Sequence, residues 1–383
     1  MFLIRQSKPK DAGTLAKLAR MVYFISLPPN EQIITDKTLH GARSFARAAG
    51  GAPEPKPARS RKNAGIVGLA VQDADLFMFT MEDLDSGGVI GTSQVKAHMG
   101  GPGNPNWSMR LGEKKFFSPE LGQGTTHTTA KLYADETGPS ELGGLILAPS
   151  HRGHRLRPGR FLSFVRFHVI GLHRAMFADR IIAEMMGPVS GDGDSQFWDY
   201  FGRKFIPVKY AEADRFCQHN RSFISELLPK EEIYITLFPL EIQSLVGAVN
   251  REAQPARRML ESLGFRFRGF VDPFDAGPHL EAATDAISLV RDTRSLRLGK
   301  PVAPDKCDAF GIVSTLSPDG EFRAVECSCV AGDDAVRVPE PVYRALELGA
   351  GARAGFTPTP APQPPAPAPG ADKPRSTRKR VKT

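Results

Sequence analysis

The stretch at residues 140–163, SELGGLILAPSHRGHRLRPGRFLS, predicts a strand that leads through a basic loop into a helix. Backbone amides at a helix N-terminus are unpaired donors with partial positive charge, and glycine lets a phosphate approach them closely. Gly153 and Gly159 give that access, while Arg152 and Arg160 add positive charge. The pattern indicates either an anion site or an ordinary strand–helix turn with exposed arginines.

Strand and helix patterns continue on the N-terminal side of this stretch. Residues 2–24 predict a strand, a turn at 8–11 and a helix with one apolar face. Residues 64–72 predict another strand, and residues 75–99 predict two strands around a turn at 85–88. Strands that alternate with helices favour a mixed α/β domain.

The C-terminal side repeats the same kinds of pattern after a stretch that lacks them. The Gly-, Pro- and Thr-rich residues 100–130 predict a loop. Beyond the opening stretch the predicted elements are a helix at 161–178, a strand at 179–189, helix–strand pairs at 195–210 and 255–272, and a hairpin at 310–330 around 318–320.

The charge distribution argues against nucleic acid as a partner. The formal net charge is +8, and the excess lies in two Pro- and Ala-rich runs at 51–63 and 372–383. Such runs are typical of solvated tails, and only the second is a candidate for weak polyanion contact. No segment has the apolar length of a membrane helix or a signal peptide, and four unevenly spaced cysteines do not suggest disulfides. We therefore expect a cytoplasmic protein that binds no membrane.

A succession of motifs resembles the arginine N-succinyltransferase family, which includes two-subunit arginine/ornithine forms. The resemblance covers roughly residues 2–350. The motifs, in chain order, are ISLPPNE (25–31), the opening strand, IIAEMMG (181–187), SQFWDYFGRKF (195–205), ISELLPKEEIY (224–234) and FDAGPHLE (274–281).

The resemblance implies a GNAT-like acyl-CoA N-acyltransferase fold, with a mixed, mostly antiparallel sheet and flanking helices. We assign this fold to residues 1–300, with a flexible insertion at 49–64. A small β-rich region is expected at 301–350. Residues 357–383 are expected to form a disordered, basic Pro/Ala-rich tail.

The implied reaction moves a succinyl group from succinyl-CoA to the α-amino group of arginine or ornithine in arginine catabolism. A leucine of the family's strand binds succinyl-CoA, and Leu145 matches it. The basic loop is longer than the family's usual form around 157–159. We expect no metal. We also expect a homo-oligomer or a pairing with a homologous subunit. The residues assigned to CoA binding are Leu145, Leu147, Arg152, Gly153, Gly159 and Arg160.

The family's catalytic histidine, a proton donor, is replaced here. The matching residue is Asn250, which can donate a hydrogen bond but cannot deliver a proton. Glu136, Glu252 and His279 are candidates to replace it because they lie in or near the matched motifs. Three interpretations remain open: a slower enzyme, an enzyme with a relocated acid or base, and a non-catalytic CoA-binding subunit.

A guanidinium substrate requires carboxylates, whose two oxygens match its fork of N–H donors. Glu184, Asp272, Asp275 and Glu281 lie in matched motifs and are the candidates, although each residue type also suits a cap or turn. No serine or cysteine nucleophile is evident. We therefore expect direct transfer within a ternary complex.

Overall fold

The computed structural model describes residues 1–21, 27–50, 74–190, 193–217 and 221–361. The strand expected at 64–72 lies outside these residues. So do most of the insertion at 49–64 and the tail beyond residue 361.

Within the described residues the backbone of the fold is one mixed sheet. Its strands, in chain order, are β1 Phe2–Gln6, β2 Leu76–Asp83, β3 Gly88–Lys96, β4 Asn106–Ser118, β5 Gln123–Asp135, β6 Ser140–Leu147, β7 Arg180–Glu184, β8 Ile233–Tyr234, β9 Arg266–Val271, β10 Pro278–Ala283, β11 Arg294–Leu298, β12 Ala309–Leu316, β13 Phe322–Ala331, β14 Ala335–Arg337 and β15 Arg353–Pro358.

The spatial order of the strands is β12-β15-β11-β14-β13-β1-β2-β3-β6-β7-β10-β9-β4-β5-β8. Because β12 also pairs with β13, the last five strands of the chain close into a ring. Among the described strand pairs only β6–β7 and β11–β14 are parallel. The prediction of a mixed α/β fold with a mostly antiparallel sheet is confirmed.

Helices cover this sheet and pack beside the end that β9, β4, β5 and β8 form. They are α1 Ala12–Arg20, α2 Glu31–Ala48, α3 Pro158–Leu172, α4 Gln196–Tyr200, α5 Tyr210–Cys217, α6 Ser222–Leu227, α7 Leu240–Gln243, α8 Gln254–Ser262, α9 Ser288–Arg291 and α10 Glu340–Ala345. None of the helices in the described ranges is long and apolar enough to cross a membrane.

Helix α3 is the central helix of the largest apolar core. Eleven of its residues are buried, and seven apolar ones among them pack against apolar side chains of β1, β2, β3, β6, β7 and β10. His168 also ties α3 to the ring, because its two ring nitrogens each lie 2.6 Å from a hydroxyl, those of Thr357 and Ser314. Burial lowers the pKa of His168 to about 3, so the imidazole is a neutral link at physiological pH.

Two sequence predictions are wrong. Residues 100–130 are not a loop, because β4 and β5 form a hairpin whose register runs from Asn106 opposite Asp135 to Ser118 opposite Gln123. The outer half of this hairpin is exposed on both sides, so it lacks the apolar alternation that marks a strand. No strand follows α4 either, and residues 202–204 form a 3-10 turn instead.

The remaining element predictions that fall on described residues agree with the structure, except at the start of the tail expected from residue 357, because Thr357 and Pro358 end β15 and pair with β12. The hairpins at 75–99 and 310–330 and the helix–strand pair at 255–272 all form. The division at residue 300 stays a prediction; in the sheet, β11 lies among the C-terminal strands because it pairs with β14 and β15.

Candidate active site

The candidate site begins where two parallel strands separate. Strands β6 and β7 pair only at Ser140 with Ile181 and at Glu141 with Ile182. Beyond these pairs they diverge, and a cavity of about 860 Å³ lies between them, lined by residues 141–143 and 145–147 of β6 and by residues 183–186 of β7 and its extension. Among the described residues β6 makes no further ladder bonds to β7, so the backbone groups of the β6 residues that line the cavity can bind a ligand on this side.

The basic loop and the start of α3 form the outer part of the cavity. Residues 149–151 make a 3-10 turn, and Arg157, the N-cap residue of α3, has φ 48° and ψ 55°. This left-handed conformation costs a non-glycine residue about 1–2 kcal/mol. This conformation places Pro158 and Gly159 in the first turn of α3.

The arginines of this outer part, which we call the mouth, differ in how firmly they are held. Arg152 is exposed, and its Nη2 lies 3.5 Å from the Glu252 carboxylate across the mouth. Arg160 is largely buried and pairs with Glu326 of β13 at 3.0 Å. The Nε of Arg160 is buried without a hydrogen-bond partner among the described residues. The mouth therefore combines an exposed guanidinium with a buried one that an ion pair holds in place.

Two backbone segments form the opposite, inner end. The turn at 272–277 packs against residues 185–187, and a Cβ on Gly277 would lie 2.0 Å from the Met185 carbonyl oxygen. Asp275 joins the segments, because its carboxylate accepts from the backbone N–H of Gly187 at 2.9 Å and of Gly277 at 2.8 Å. The two motifs EMMG and FDAGP, which are distant in sequence, are therefore in contact in the fold.

Burial gives the carboxyl groups of the inner end unusual acidities. Asp272 lines the cavity, and burial together with the charge of Asp275 raises its pKa to about 7. Burial raises the pKa of Asp275 to about 6, although the two backbone N–H donors oppose this. Burial and the nearby Glu184 also raise the pKa of Glu141. Carboxyls that ionise this reluctantly indicate a place where a positive group from outside would be stabilised.

The Glu184 carboxylate is held in place by a chain of hydrogen bonds. Its Oε1 accepts from Asn106 Nδ2 at 2.8 Å, and Asn106 Oδ1 accepts from Arg221 Nη1 at 2.8 Å. Burial acts to raise the pKa of Glu184, but the nearby His279 and Arg221 outweigh burial and lower it. Glu184 is therefore an anion in the cavity wall.

Glu184, Asp272 and His279 form a compact set that could surround one cation. One ligand atom of each lies within 4.8 Å of the other two, and the Nε2 of His279 is buried without a hydrogen-bond partner in the described part of the chain. Positive side chains already act on Glu184, which disfavours a divalent ion and favours a monovalent organic cation. The absence of a metal ion stays a prediction.

The structure brings most of the predicted site residues to this cavity. Those that line it are Leu145, Leu147, Arg152, Gly153, Gly159, Arg160, Glu184, Glu252, Asp272 and Asp275. Glu136 does not, because it is exposed and accepts from the backbone N–H of Gly103. Glu281 pairs instead with Arg180 at 2.9 Å. The functional roles of all these residues stay predictions.

Asn250 lies beside the cavity, and its side chain caps a local turn. Its Oδ1 accepts from the backbone N–H of Glu252 at 3.0 Å, which caps a 3-10 turn. Its own backbone N–H donates to the carbonyl of Met186, a cavity residue. A side chain at this position is therefore held close to the inner end.

Sequence reasoning missed three charged residues that the fold places here. Glu141 and Arg166 line the cavity, and Arg221 acts on Glu184 through Asn106. Glu141 belongs to the strand that the sequence predicted, but its place in the cavity wall depends on where β6 and β7 separate. A charged residue such as Arg166 inside an otherwise apolar helix face is the one signal that the sequence offered.

Comparisons with known proteins agree on one family. The family model described as arginine N-succinyltransferase beta subunit matches residues 2–289. The chain is 31% identical over 360 residues to the arginine N-succinyltransferase subunit beta of Pseudomonas aeruginosa, covering 93% of this chain and 98% of that protein. It is 34% identical over 357 residues to the arginine N-succinyltransferase of Yersinia enterocolitica, covering 92% and 96%.

A solved structure supports the fold over almost the whole length. The arginine/ornithine succinyltransferase subunit AI from Pseudomonas aeruginosa superposes with a TM-score of 0.74 at 24% sequence identity, covering 94% of this chain and 98% of that chain. Taken with the family match and the relatives above 30% identity, the comparisons establish that this chain belongs to the arginine N-succinyltransferase family.

Proposed function

We propose that this protein is an arginine N-succinyltransferase with a GNAT-like acyl-CoA N-acyltransferase fold. It transfers the succinyl group of succinyl-CoA to the α-amino group of L-arginine, or of ornithine, in the cytoplasm. The observation that carries the proposal is the charge layout of the cavity between β6 and β7. One end is basic and opens at a helix N-terminus, and the other is lined by buried carboxyls.

The mouth suits the phosphates of CoA. Helix α3 starts there, and Arg152, Arg157 and Arg160 line the same surface. The pantetheine arm then follows the side of β6 that has no ladder with β7, where the backbone groups of Leu142, Gly143 and residues 145–147 can bond to its amides. Leu145 and Leu147 supply apolar contact along this path.

The inner end suits the amino-acid acceptor. Glu184 is an anion of fixed position, and a guanidinium can bond to both of its oxygens. Asp272 and Asp275 lie on the same wall and add negative potential once they ionise. A bound cation would lower the pKa of these carboxyls, so substrate binding and their ionisation reinforce each other.

The chemistry needs a neutral amine. The α-ammonium loses a proton, its nitrogen attacks the thioester carbonyl, and the C–N bond forms as the C–S bond breaks. The nitrogen gives up a second proton to become an amide and the CoA thiolate takes up one, so that one proton is released overall. Asp272 can accept the first proton, because a group with a pKa near 7 is well matched to neutral pH. Water can supply the last one. None of the four cysteines lines the cavity, which supports direct transfer.

Thiol release from succinyl-CoA tests the proposal. The purified protein is assayed with arginine, with ornithine and without acceptor, and Asn250→His is compared with Asn250→Ser, which keeps a capping oxygen but adds no imidazole. We expect acceptor-dependent release by the native protein. General acid catalysis is worth about 10²–10⁴-fold, so Asn250→His can raise the rate by up to that range.

Other outcomes separate the alternatives. Binding of succinyl-CoA without release by the native protein, with release by Asn250→His alone, would make this chain a non-catalytic CoA-binding subunit. Absence of CoA binding in a calorimetric titration would refute the proposal. Because a relative and the solved structure are both named as subunits, we also expect a homo-oligomer or a pairing with a homologous subunit.

A further inference from the structure

Arg166 is a buried cation in the cavity wall without a counter-ion among the described residues. Its side chain is 3% exposed and lines the cavity. Its Nε donates to the Ser163 carbonyl oxygen at 3.1 Å and its Nη2 to Ser163 Oγ at 2.6 Å. No carboxylate in the described ranges forms an ion pair with it. Burial alone lowers its pKa, to about 9, so the group is still charged at neutral pH.

A buried guanidinium in this condition is costly. Removing such a charge from water costs several kcal/mol, and an arginine has five N–H donors, of which Ser163 engages two. The remaining donors face either apolar neighbours or the cavity. This situation is relieved when an anion enters the cavity and bonds to the guanidinium.

The fold places Arg166 away from the mouth. Gly159 at the start of α3 lies beside Leu147 at the end of β6. In the β3–β6 ladder, the β3 residues on either side of Ser93 pair with Ile146 and Gly143 of β6. The Ser93 hydroxyl donates to the Leu162 carbonyl, so this part of α3 lies beside the middle of β6. Helix α3 therefore runs back along β6.

Arg166 comes one turn after Leu162, beside the first half of β6. Its Cα lies about 9 Å farther along the helix axis than that of Arg160, at 1.5 Å per residue. An anion bound there belongs to the inner part of the ligand, not to its phosphates.

The other cations near the inner end are under the influence of carboxylates. One of them, Lys37, is partly buried near Glu141 and does not line the cavity. Arg221 bonds to Asn106 and lies close to Glu184. Lys96 is opposite Glu141 in the β3–β6 ladder and is under its influence. Neither of them lines the cavity. Arg166 is thus the cation of the inner wall that has capacity for an external anion.

We infer that Arg166 binds the terminal carboxylate of the acyl group and thereby selects a dicarboxylic acyl-CoA over a monocarboxylic one. The inference rests on the proposed function. Succinyl and butyryl thioesters have the same carbon number and differ at the end of the chain, where one has a carboxylate and the other a methyl group. The guanidinium bonds to the first and is left buried and unpaired by the second.

Calorimetric titration of the full-length protein with succinyl-CoA, butyryl-CoA and free CoA tests this inference. Hydrogen bonds to charged groups are worth about 1.5–3 kcal/mol, so the native protein should prefer succinyl-CoA to butyryl-CoA by about 10–150-fold. Arg166→Met should reduce this preference to within about 3-fold and leave the Kd of free CoA unchanged. Arg166→Lys should keep part of the preference.

A matched control at the mouth and a melting curve complete the test. Arg152→Gln should weaken all three ligands by the same factor, because it removes charge near the phosphates. Arg166→Met should melt at or above the native temperature, since an uncompensated buried charge is replaced by an apolar side chain. A purely structural role for Arg166 predicts the reverse.

The possible failures are distinguishable. If the native protein binds no CoA ester, the proposed function fails as well. If it binds succinyl-CoA and butyryl-CoA equally, the inference alone is overturned. Equal weakening of all three ligands by Arg166→Met would place Arg166 on the body of CoA. If Arg166→Met raised the KM for arginine and left the acyl preference unchanged, Arg166 would be assigned to the carboxylate of the acceptor. Should Arg166→Met not fold, the native comparison and Arg166→Lys still decide.

Discussion

The two ends of the cavity hold their charges in opposite ways. At the mouth, Arg152 and Glu252 are exposed, and their charged groups lie 3.5 Å apart in contact with solvent. At the inner end, Asp275 is 1% exposed and its oxygens are committed to backbone N–H groups of two segments. Water screens the first set and is excluded from the second. Charge at the mouth therefore tunes binding, whereas charge at the inner end also determines stability and acidity.

The first prediction tests this difference through the stability of the inner end. Asp275→Ala leaves the backbone N–H groups of Gly187 and Gly277 buried without an acceptor. Each unsatisfied donor costs about 1–3 kcal/mol, so the free energy of unfolding should fall by about 3 kcal/mol. Urea denaturation at pH 7 measures it. Asp275→Asn, which keeps an acceptor oxygen, is the control and should lose less. A loss below about 1 kcal/mol for Asp275→Ala would show that the turn does not depend on this carboxylate.

The second prediction concerns the pH dependence of stability. The pKa of Asp272 is about 7 in the folded chain, well above the usual aspartate value. Between about pH 4 and pH 7 the folded state therefore holds a proton that the unfolded chain has released, and the free energy of unfolding falls as pH rises. The stability that the bound proton contributes is fully present below about pH 4 and is fully lost above about pH 7.

Asp272→Asn should remove this contribution. The amide stays neutral and its Oδ1 can still accept from the backbone N–H groups of Phe274 and Asp275. At pH 8 the variant should be more stable than the native protein by up to about 4 kcal/mol, since the folded and unfolded pKa values differ by about 3 and one pKa unit corresponds to about 1.4 kcal/mol, and the difference should vanish near pH 4. Asp333→Asn, on the surface, is the control. A constant offset at every pH would contradict the assignment.

The smallest effect is expected at the mouth. Glu252→Gln removes the carboxylate that faces Arg152 and leaves the guanidinium free for phosphate. Exposed ion pairs are worth about 0–1 kcal/mol, so the affinity for CoA should rise by about 2- to 5-fold at low salt. The gain should disappear near 1 M salt, where the screening length is about 3 Å. Glu347→Gln, which alters an ion pair with Arg323 away from the cavity, should leave the affinity unchanged. A gain that persists in high salt would mean that the mouth is not screened by solvent.

Local patterns in the sequence were sufficient for much of the cavity. The apolar strand, the basic loop and the helix at 140–163 form as predicted, because each depends on neighbours within one or two turns. The FDAGP turn was recognised as a motif, and its candidates Asp272 and Asp275 line the cavity. The same patterns did not separate these two from Glu281, which lies in the same motif but points to Arg180.

The hairpin of β4 and β5 shows where local patterns failed. Its outer residues are exposed, so neither strand shows an apolar alternation, and its glycines and threonines are typical of loops. What stabilises the hairpin is the ladder between the two strands together with the pairing of Met109 with Val271 and of Arg110 with Phe270 on β9. Pairing partners that are distant in sequence are not encoded in either segment alone.

The sequence by itself determined the family and the mixed α/β class, and it predicted an anion-binding loop before α3, because these inferences depend on residue types at short and fixed spacing. The tertiary structure alone decided which charges meet. The separation of β6 from β7 turns Glu141 and Glu184 toward one space, and the buried face of α3 carries Arg166 into its wall. The acidity of a carboxyl or the cost of a guanidinium depends on burial and on neighbours from other elements, and these exist only once the sheet is assembled.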